Sequence, residues 1–306
     1  MDQLAALLDG PRARGAFLLR SLLTPPWSLR IEDEAPLTLA AMVRGDAWVV
    51  PDAGEPVRLA PGDVAILRGP DPYTVADHPA TGPQVVIHPG QRCSTLEGEP
   101  LHQAMDLGVR TWGNDPGGGT VLITGTYQFE GEVSRRLLDA LPPLLVRSGD
   151  PVIPLLGAEI VKDEPGQEAV LDRLLDLLLI TVLRSWFATG EAPARYRALG
   201  DPVVGRAMRM LQNNPAHRWT VGALAAEVGV SRAALARRFT ELVGEPPMAY
   251  LTEWRLALAA DLLRTPDATV GSVARKVGYG SPFALSAAFK RVHGVSPQRY
   301  RAGAAS

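Results

Sequence analysis

Three histidines and one cysteine in the first half of the chain carry side chains suited to metal or redox chemistry. His78, His88 and His102 are scattered, and no two of them form a His-x-His pair. His88, Cys93 and His102 would act together on a metal only if the fold brought them close. We therefore assign no metal ligand, no catalytic residue and no cofactor, and keep a metal-dependent enzyme as an alternative.

Cys93 is the single cysteine of the 306 residues, which excludes an internal disulfide framework and fits a reducing compartment such as the cytoplasm. It follows Arg92, whose charge we expect to lower the pKa of the thiol and favour the reactive thiolate. A sulfenic acid or an intermolecular disulfide would then report oxidation. A thiol redox sensor is a second alternative, and a small buried apolar side chain is the simpler interpretation.

Residues 220–250 recur about fifty residues later as residues 269–300. Thr220-Val221 and Val228-Gly229 reappear as Thr269-Val270 and Val277-Gly278, and one inserted residue, Gly280, lies in the turn that follows. Beyond that turn the repeated residues are Ser231, Leu235, Phe239, Gly244, Pro247 and Tyr250, which recur as Ser281, Leu285, Phe289, Gly294, Pro297 and Tyr300. This duplication predicts two helix-turn-helix units that read adjacent sites on one ligand, for which DNA is the natural candidate.

Capping residues define the helices of the first repeat. Thr220 is a suitable N-cap for a helix that ends near Val228, and Ser231 caps a second helix that runs to about Val243. Gly229 suits the positive φ of the tight turn between them. The sequence therefore predicts a short helix, a turn and a longer reading helix.

The reading helix of the first repeat has an apolar back and a basic front. Leu235, Phe239 and Leu242 share one face, which must pack inward. Arg237 lies on the other face and is our candidate for a bidentate contact with guanine, worth ~1–3 kcal/mol of discrimination. The candidates for DNA contact in this repeat are Thr220, Ser231, Arg232, Ala233, Ala236, Arg237 and Arg238.

The second repeat presents different chemistry. Leu285, Phe289 and Val292 are expected to form its buried back. Ala287 stands where the first repeat has Arg237, so we expect this half to read fewer bases. The candidates for contact here are Ser281, Phe283, Ala287, Lys290 and Arg291, with Phe283 toward a thymine methyl and the two basic residues on phosphate.

A connecting helix and a charge imbalance support this interpretation. Pro246-Pro247 opens a helix with Leu251, Trp254, Leu258 and Leu262 on one side, which we expect to hold the reading helices about 34 Å apart. Residues 200–306 contain 14 Lys and Arg against 7 Asp and Glu, whereas the whole chain has a net charge of −2. A basic end on an acidic remainder is typical of a nucleic-acid module joined to another domain.

Residues 28–130 contain short apolar runs separated by Pro, Gly and Asp. Strands are predicted over residues 37–50 with a turn at 44–46, and over 57–59, 64–67, 73–76, 84–88 and 121–129. This spacing favours an antiparallel β barrel or jelly roll. The interior of such a barrel is the default pocket for a small effector. The candidates to line that pocket are Arg30, Trp48, Tyr73, His88 and Cys93.

Residues 168–186 carry apolar side chains at three- and four-residue steps, interrupted by charges that argue against a membrane span. So apolar a helix must bury most of its circumference, against its own domain or against the same helix of a second subunit. We favour a homodimer. The expected organisation is a sensor domain over 1–165, a helical dimerisation segment with a linker over 166–199, and a DNA-binding domain over 200–306.

The repeats resemble the two halves of the AraC/XylS-type DNA-binding domain. The first half is carried by Gly229-Val230-Ser231 and Arg237-Arg238-Phe239, and the second by Val277–Ser281 and Phe289-Lys290-Arg291. Ala287 departs from the family, which often carries an arginine there. Residues 59–64 are similar to the strand-turn-strand of cupin domains, although the His-x-His typical of cupin enzymes is missing.

The resemblance implies an α+β multidomain protein with a cupin-like antiparallel β barrel followed by an all-α tandem helix-turn-helix domain. It implies a transcription regulator that binds double-stranded DNA and whose N-terminal domain senses a small effector or a redox signal. A cytoplasmic homodimer without membrane contact is expected, with RNA polymerase as a further partner if the protein is an activator.

Overall fold

The computed structural model describes residues 17–127, 131–265 and 267–303. Within these residues, contacts separate two compact units. The sheet unit consists of residues 17–127 and 141–186, and the helical unit consists of residues 131–140 and 187–303. The helical unit therefore includes a short segment that the chain supplies between two strands of the sheet unit.

The described part of the sheet unit contains two sheets. The strands are β1 (Phe17–Leu23), β2 (Ser28–Ile31), β3 (Leu37–Arg44), β4 (Ala47–Pro51), β5 (Val57–Leu59), β6 (Asp63–Arg68), β7 (Tyr73–Ala76), β8 (Val85–His88), β9 (Arg92–Ser94), β10 (Asp106–Gly108), β11 (Thr111–Gly113), β12 (Thr120–Tyr127) and β13 (Leu144–Ser148). One sheet has the order β10-β11-β1-β12-β3-β6-β13, and the other has the order β5-β4-β7-β2-β8-β9. The predicted cupin-like β architecture is confirmed. It is mainly antiparallel, with parallel neighbours at β1–β11 and β2–β8.

The core of the sheet unit is formed by alternate residues of both sheets. Trp27, Met42 and Leu59 are among its fully enclosed side chains. In β4, Ala47 and Val49 belong to this core. Because successive side chains of a strand point to opposite faces, Trp48 between them lies on the outer face.

Helices cover the larger sheet. After α1 (Glu132–Leu138), which belongs to the helical unit, come α2 (Val152–Glu159) and α3 (Gln167–Phe187), which belong to the sheet unit except for the last residue of α3. A Cβ atom at Gly125 of β12 would lie 2.7 Å from Cδ2 of Leu175, so glycine allows α3 to approach the strand. Residues 37–42 of β3 are all buried, as expected for a strand covered on both faces.

The helical unit follows the predicted duplication. Its further helices are α4 (Ala194–Arg197), α5 (Val204–Asn213), α6 (Val221–Glu227), α7 (Arg232–Val243), α8 (Pro247–Leu263), α9 (Val270–Val277), α10 (Pro282–His293) and α11 (Pro297–Gly303). The bounds of α6 and α7 confirm the caps and ends predicted for the first repeat. The linker expected at the end of residues 166–199 contains α4 and the start of a 3-10 turn, and Tyr196 is buried there.

Helix α8 supports two separate cores. Tyr250 and Leu251 near its start pack with α5, α6 and α7, whereas Leu256, Ala260 and Leu263 pack with α9 and α10. The apolar side is therefore wider than the predicted stripe, in which Leu258 and Leu262 are only half-buried. One helix that belongs to both cores holds the two repeats in a fixed relation.

No helix of the described ranges is long and apolar enough to cross a membrane.

Candidate nucleic-acid interface and sensor cavity

The first helix-turn-helix is fixed by side-chain caps at both helix starts. The Thr220 hydroxyl accepts from the Ala223 amide at 3.1 Å, and the Ser231 hydroxyl accepts from the Ala234 amide at 3.2 Å. Gly229 has φ +74° in the turn, where a residue with a side chain would be strained. These local preferences set where α7 begins and how it is presented.

The front of α7 is open to solvent and basic. Leu235 and Phe239 are fully buried on its back, as predicted, and Leu242 is half-buried. Arg232 and Ala233 are exposed on the first turn, while Ala236 is partly covered. The side chain of Arg237 is 76% exposed, with Glu241 3.9 Å away. An exposed ion pair at this distance stabilises little, so Arg237 is available to a ligand.

Arg238 is engaged by the protein itself. Its guanidinium donates to the Asp201 carboxylate at 2.6 Å, and the other oxygen of that carboxylate accepts from the amides of Val203 and Val204 at the start of α5. Burial acts to raise the pKa of Asp201, but the Arg238 guanidinium and the two amides together hold it below its ordinary value. Arg238 thus fastens α7 to α5, a partner 37 residues away that the sequence pattern did not reveal.

The front of α10 combines an aromatic ring with basic residues. Ser281 caps the helix through the Ala284 amide at 3.2 Å. Phe283 is 85% exposed, and Ala287, Lys290 and Arg291 are exposed with it. A phenyl ring this open to water on a helix front is suited to an apolar contact with a partner.

The back of α10 differs from the prediction at one position. Leu285 and Phe289 are buried as expected, but Val292 is 50% exposed and Ala288 is buried instead. The ring of His293 stacks on Phe289 with the centroids 4.2 Å apart. The ring of His293, rather than Val292, therefore contacts Phe289 at this end of the helix.

Gly278 ties the second repeat to the loop before the first. Its φ is +86°, and a Cβ atom there would lie 2.7 Å from the Ala216 Cα and 2.9 Å from both the Pro215 oxygen and an Arg255 nitrogen. Arg255 in turn donates to the carbonyls of Pro215 and His217 at 2.7 and 2.9 Å. A Cβ atom at the equivalent Gly229 would meet no heavy atom within 4 Å.

The sheet unit contains a cavity of about 1010 Å³ that is partly open to solvent. Tyr73, His88 and Cys93 line it, as expected from the sequence. Its apolar wall includes Leu19, Leu29, Ile31, Ile87 and Trp112. A pocket of this size, apolar with a few polar groups, is typical of small-molecule sites.

Arg30 and Trp48 do not line this cavity, so those two expectations are wrong. Arg30 pairs with Asp52 at 2.5 Å and with Glu32 at 3.1 Å. In β2 the cavity side belongs to Leu29 and Ile31, and strand alternation places Arg30 on the outer face. Trp48 is excluded for the same reason in β4.

Cys93 is buried, in surroundings that do not favour the thiolate expected from its neighbour Arg92. Burial raises the pKa of Cys93, although a hydrogen bond from Trp112 acts in the other direction. Arg92 is exposed and donates to the Pro89 carbonyl at 3.5 Å. The expected lowering of the Cys93 pKa is therefore wrong, because exposed Arg92 does not offset the loss of solvation.

His88, Cys93 and His102 all line the cavity without forming a metal site. His88 shares a hydrogen bond with the Ser94 hydroxyl at 2.9 Å. The described residues hold no group of three or more His, Cys, Asp or Glu side chains arranged for a metal ion.

Asp33 and Gln91 are cavity residues that the sequence did not indicate. The Asp33 carboxylate is 9% exposed and accepts from the Ala35 amide at 3.1 Å and from the Gln91 side chain at 2.8 Å. Both residues lie outside the strands, where no periodicity shows which way a side chain points. Burial, and next the Asp33 charge, raise the pKa of Tyr73, which faces the same space.

Helix α1 docks on α8 within the helical unit. The Asp261 carboxylate accepts from the Glu132 and Val133 amides at 2.5 and 3.2 Å, which caps α1 from a different part of the chain. Val133 packs against buried Trp254 and Ala257. Burial raises the pKa of Asp261, although the two amides act in the other direction.

Comparisons with known proteins agree with this architecture. A Cupin family model matches residues 2–188, and a Helix-turn-helix domain model matches residues 224–303. A Streptomyces lividans protein named as an AraC-like transcription regulator is 32% identical over 98% of each chain. The HTH-type transcriptional regulator AlkR of Acinetobacter baylyi is 27% identical over 98% of this chain and 99% of its own. The DNA-binding domain of AdpA, solved with a target DNA, is 36% identical and covers 34% of this chain and 93% of that one, with a TM-score of 0.33.

A cupin unit with a duplicated helix-turn-helix defines a two-domain DNA-binding regulator. The chain belongs to the AraC-like transcription regulators with an N-terminal cupin domain.

Proposed function

We propose that the cavity of the cupin unit binds a small effector and that its occupancy changes how the tandem reading helices engage a promoter. The observation that carries this proposal is the largely apolar cavity, in a regulator whose reading helices are both packed on α8. A ligand shifts such an equilibrium only if it binds one arrangement of the chain better than another.

Base recognition is assigned chiefly to α7. Arg237 is exposed on its front, where it can bond bidentately to guanine, and small Ala233 allows close approach to the base edges. Arg232 on the first turn is placed for phosphate. Arg238 is reassigned from DNA contact to holding α7 against Asp201.

Helix α10 is assigned mainly to the DNA backbone. Lys290 and Arg291 bind phosphate, while Phe283 covers a thymine methyl. Small Ala287 lets the helix approach the groove without reading a base by hydrogen bonds.

The helix caps can add phosphate contacts. Thr220, Ser231 and Ser281 each accept a hydrogen bond from their own helix, and each hydroxyl retains a proton that can be donated to a phosphate oxygen.

We propose that α1 carries the signal to the helical unit. It is joined to β12 and β13 of the sheet unit by the chain itself, and it is held on α8 by Asp261 and by the contact of Val133 with Trp254. Because α8 packs with both repeats, a displacement of α1 would change the packing that positions both reading helices.

The protein is further proposed to act as a homodimer through α3. Most of the α3 apolar stripe is buried in its own unit, but Val170 and Leu177 are 44% and 43% exposed. Val170 and Leu177 share a face of α3 with Arg184, which is exposed in the last turn. An antiparallel two-fold pairing centred on Leu177 would place the two Leu177 side chains together, with each Val170 near the aliphatic part of the other copy's Arg184. In sedimentation equilibrium, Leu177→Lys should yield monomers where wild type and Leu177→Met yield dimers, and a Leu177→Lys dimer would refute this contact.

Two other functions are not adopted. A direct thiol sensor needs a reactive Cys93, whereas its burial raises the pKa of the thiol. A retained oxidant response in Cys93→Ser would agree with this choice. No arrangement of the described residues favours a metal-dependent enzyme. Contact with RNA polymerase remains part of the proposal if the protein is an activator.

Genome-wide footprinting with the purified protein tests promoter recognition. Discrete sites with two protected blocks about one helical turn apart are expected. Uniform, sequence-independent protection would reject specific recognition.

Dye binding tests the cavity separately. The neutral apolar dye Nile red should bind the wild-type protein and alter its affinity for a footprinted site. Ile87→Trp fills the cavity, whereas Val86→Trp places the same ring on the other face of β8 and is the matched control. Equal dye binding by both variants would reject cavity occupancy.

The same measurement tests the α1 route. Asp261→Ala removes the cap of α1 and should leave dye binding intact while abolishing its effect on DNA affinity. Exposed Asp267 supplies the control substitution to alanine. An unchanged dye effect in Asp261→Ala would exclude α1 as the route.

A further inference from the structure

The charge of Asp33 identifies the chemical class of ligand that the cavity is built to take. This carboxylate is 9% exposed and lines a cavity whose wall is largely apolar. Its hydrogen-bond partners are the Ala35 amide and the Gln91 side-chain amide, both neutral donors. Within residues 17–127, 131–265 and 267–303, no cationic side chain forms an ion pair with it.

A buried carboxylate without a cation is costly for a folded protein. Neutral donors recover part of the lost hydration, and a cation recovers more. The cavity also contains Arg92 and Arg110. Arg92 donates weakly to the Pro89 carbonyl at 3.5 Å and Arg110 donates to Gln167 at 2.7 Å, and among the described residues neither forms an ion pair with Asp33. The position facing Asp33 is therefore open to a cation supplied by the ligand.

Residues with positive φ also lie next to Asp33 and in the wall of the cavity. The described residues other than glycine that have positive φ are Glu34 at 56°, Gln91 at 59° and Arg110 at 47°. Glu34 follows Asp33, and Gln91 and Arg110 line the cavity. Strained backbone of this kind persists where surrounding structure enforces it and is concentrated at ligand sites. Gln91, one of these residues, is the one whose side-chain amide donates to the Asp33 carboxylate.

We propose that the cavity binds an amphipathic organic cation, with its ammonium group on Asp33 and its apolar body against Leu29, Ile31 and Trp112. The Tyr73 hydroxyl faces the same charged end and supplies a second polar contact. A charge-assisted hydrogen bond to a carboxylate is about twice as strong as a neutral one, which gives the amine its preference. This inference rests on the proposed role of the cavity as the effector site.

Titration calorimetry with three chain-matched probes tests the proposal on the full-length protein. Octylamine, octanol and octanoate share an apolar body and differ in charge. We expect octylamine to bind the wild type at least about tenfold more tightly than octanol, and octanoate to bind most weakly. Octanoate or octanol binding as well as octylamine would overturn the assignment of a cation.

Two aspartate variants localise the effect. Asp33→Asn should bring octylamine to the affinity of octanol, a loss of about tenfold, and leave octanol unchanged. Asp106→Asn removes an exposed carboxylate of the same cavity and should retain the preference. A preference that survives in Asp33→Asn would overturn the role of Asp33. If that variant does not fold, the comparison of the three probes on the wild type decides alone.

Nile red distinguishes the proposal that the cavity binds an effector from the proposal that the effector is a cation. Dye binding without any preference for octylamine would reject the cation and leave the effector cavity in place. Failure of the dye and of all three probes to bind would reject both.

Discussion

The first repeat presents Arg237 at the front of α7, whereas the second presents Ala287 at the equivalent position of α10 and an open Phe283 one turn before it. The buried backs are nearly the same, with Leu235 and Phe239 in one and Leu285 and Phe289 in the other. Packing thus conserves the scaffold while the solvent-facing residues diverge. The two repeats are therefore equivalent as structure, and we propose that they differ as readers of DNA.

The turns of the two repeats also differ, and here it is the second repeat that is more tightly constrained. Gly229 faces open space, whereas Gly278 is pressed against Pro215, Ala216 and Arg255. Thr269 and Ser272 form a reciprocal capping box at the start of α9, and the first repeat has a single cap at Thr220. The second repeat, to which we assign less base reading, is therefore the one with the tighter structural constraints.

The largest expected effect is at Gly278. Gly278→Ala adds a Cβ in a left-handed conformation and against backbone atoms that cannot rotate away, so it should lower the free energy of unfolding by about 3 kcal/mol or more. Gly229→Ala meets no neighbour and should cost only about 1 kcal/mol. Urea unfolding followed by helical circular dichroism measures both. Equal losses would show that the turns are equivalent.

Arg237→Ala should have the next largest effect, and on specificity rather than stability. Loss of a bidentate base contact is expected to reduce discrimination at one base pair by ~1–3 kcal/mol. Fluorescence anisotropy on a footprinted site and its single-base variants measures this. Arg238→Ala is the control, because Arg238 binds Asp201 and its loss should reduce stability without changing base preference. If Arg238→Ala changed the base preference and Arg237→Ala did not, the base contact would belong to Arg238.

The ion pair between Arg238 and Asp201, which anchors α7 in the first repeat, should weaken at acidic pH. Arg238 and the α5 amides lower the pKa of Asp201 against the effect of burial, so its contribution is complete above the unfolded-state pKa of about 3.9 and is lost as the pH falls through the folded-state value. Asp201→Asn should cost about 1 kcal/mol near neutral pH. Between pH 5 and pH 3 the variant should therefore lose less stability than the wild type. Parallel pH profiles would contradict this linkage.

Lys290→Ala should have the smallest effect. Removing one phosphate contact should reduce the slope of log affinity against log salt by about 0.9 and leave base preferences unchanged. Anisotropy titrations at several salt concentrations measure that slope. A changed base preference in this variant would assign base reading to α10.

Local chemistry explains which features the sequence could predict. The starts of α6, α7 and α10 follow from Thr220, Ser231 and Ser281, each of which caps an amide three residues ahead. Contacts between distant residues carry no such pattern. The bond of Arg238 to Asp201 and the cap of α1 by Asp261, 129 residues away, had no local signal.

The wrong predictions of cavity residues arise from the face of the strand on which each side chain lies. Tyr73 and His88 were placed correctly, but Arg30 and Trp48 lie on outer faces, because composition alone does not give the register of a strand. Asp33, to which we assign the cationic end of the ligand, lies in a loop, where no periodicity shows which way a side chain points.

A base-by-base substitution scan of one footprinted site tests most directly whether the repeats read DNA differently. For the wild type, strong base preferences are predicted in one block, with a second block one helical turn away that contributes affinity but little preference. Arg237→Ala should remove the preferences of the first block, and Ala287→Arg should create new ones in the second. Equal preferences in both blocks, or a scan unchanged by Arg237→Ala, would contradict this division of labour.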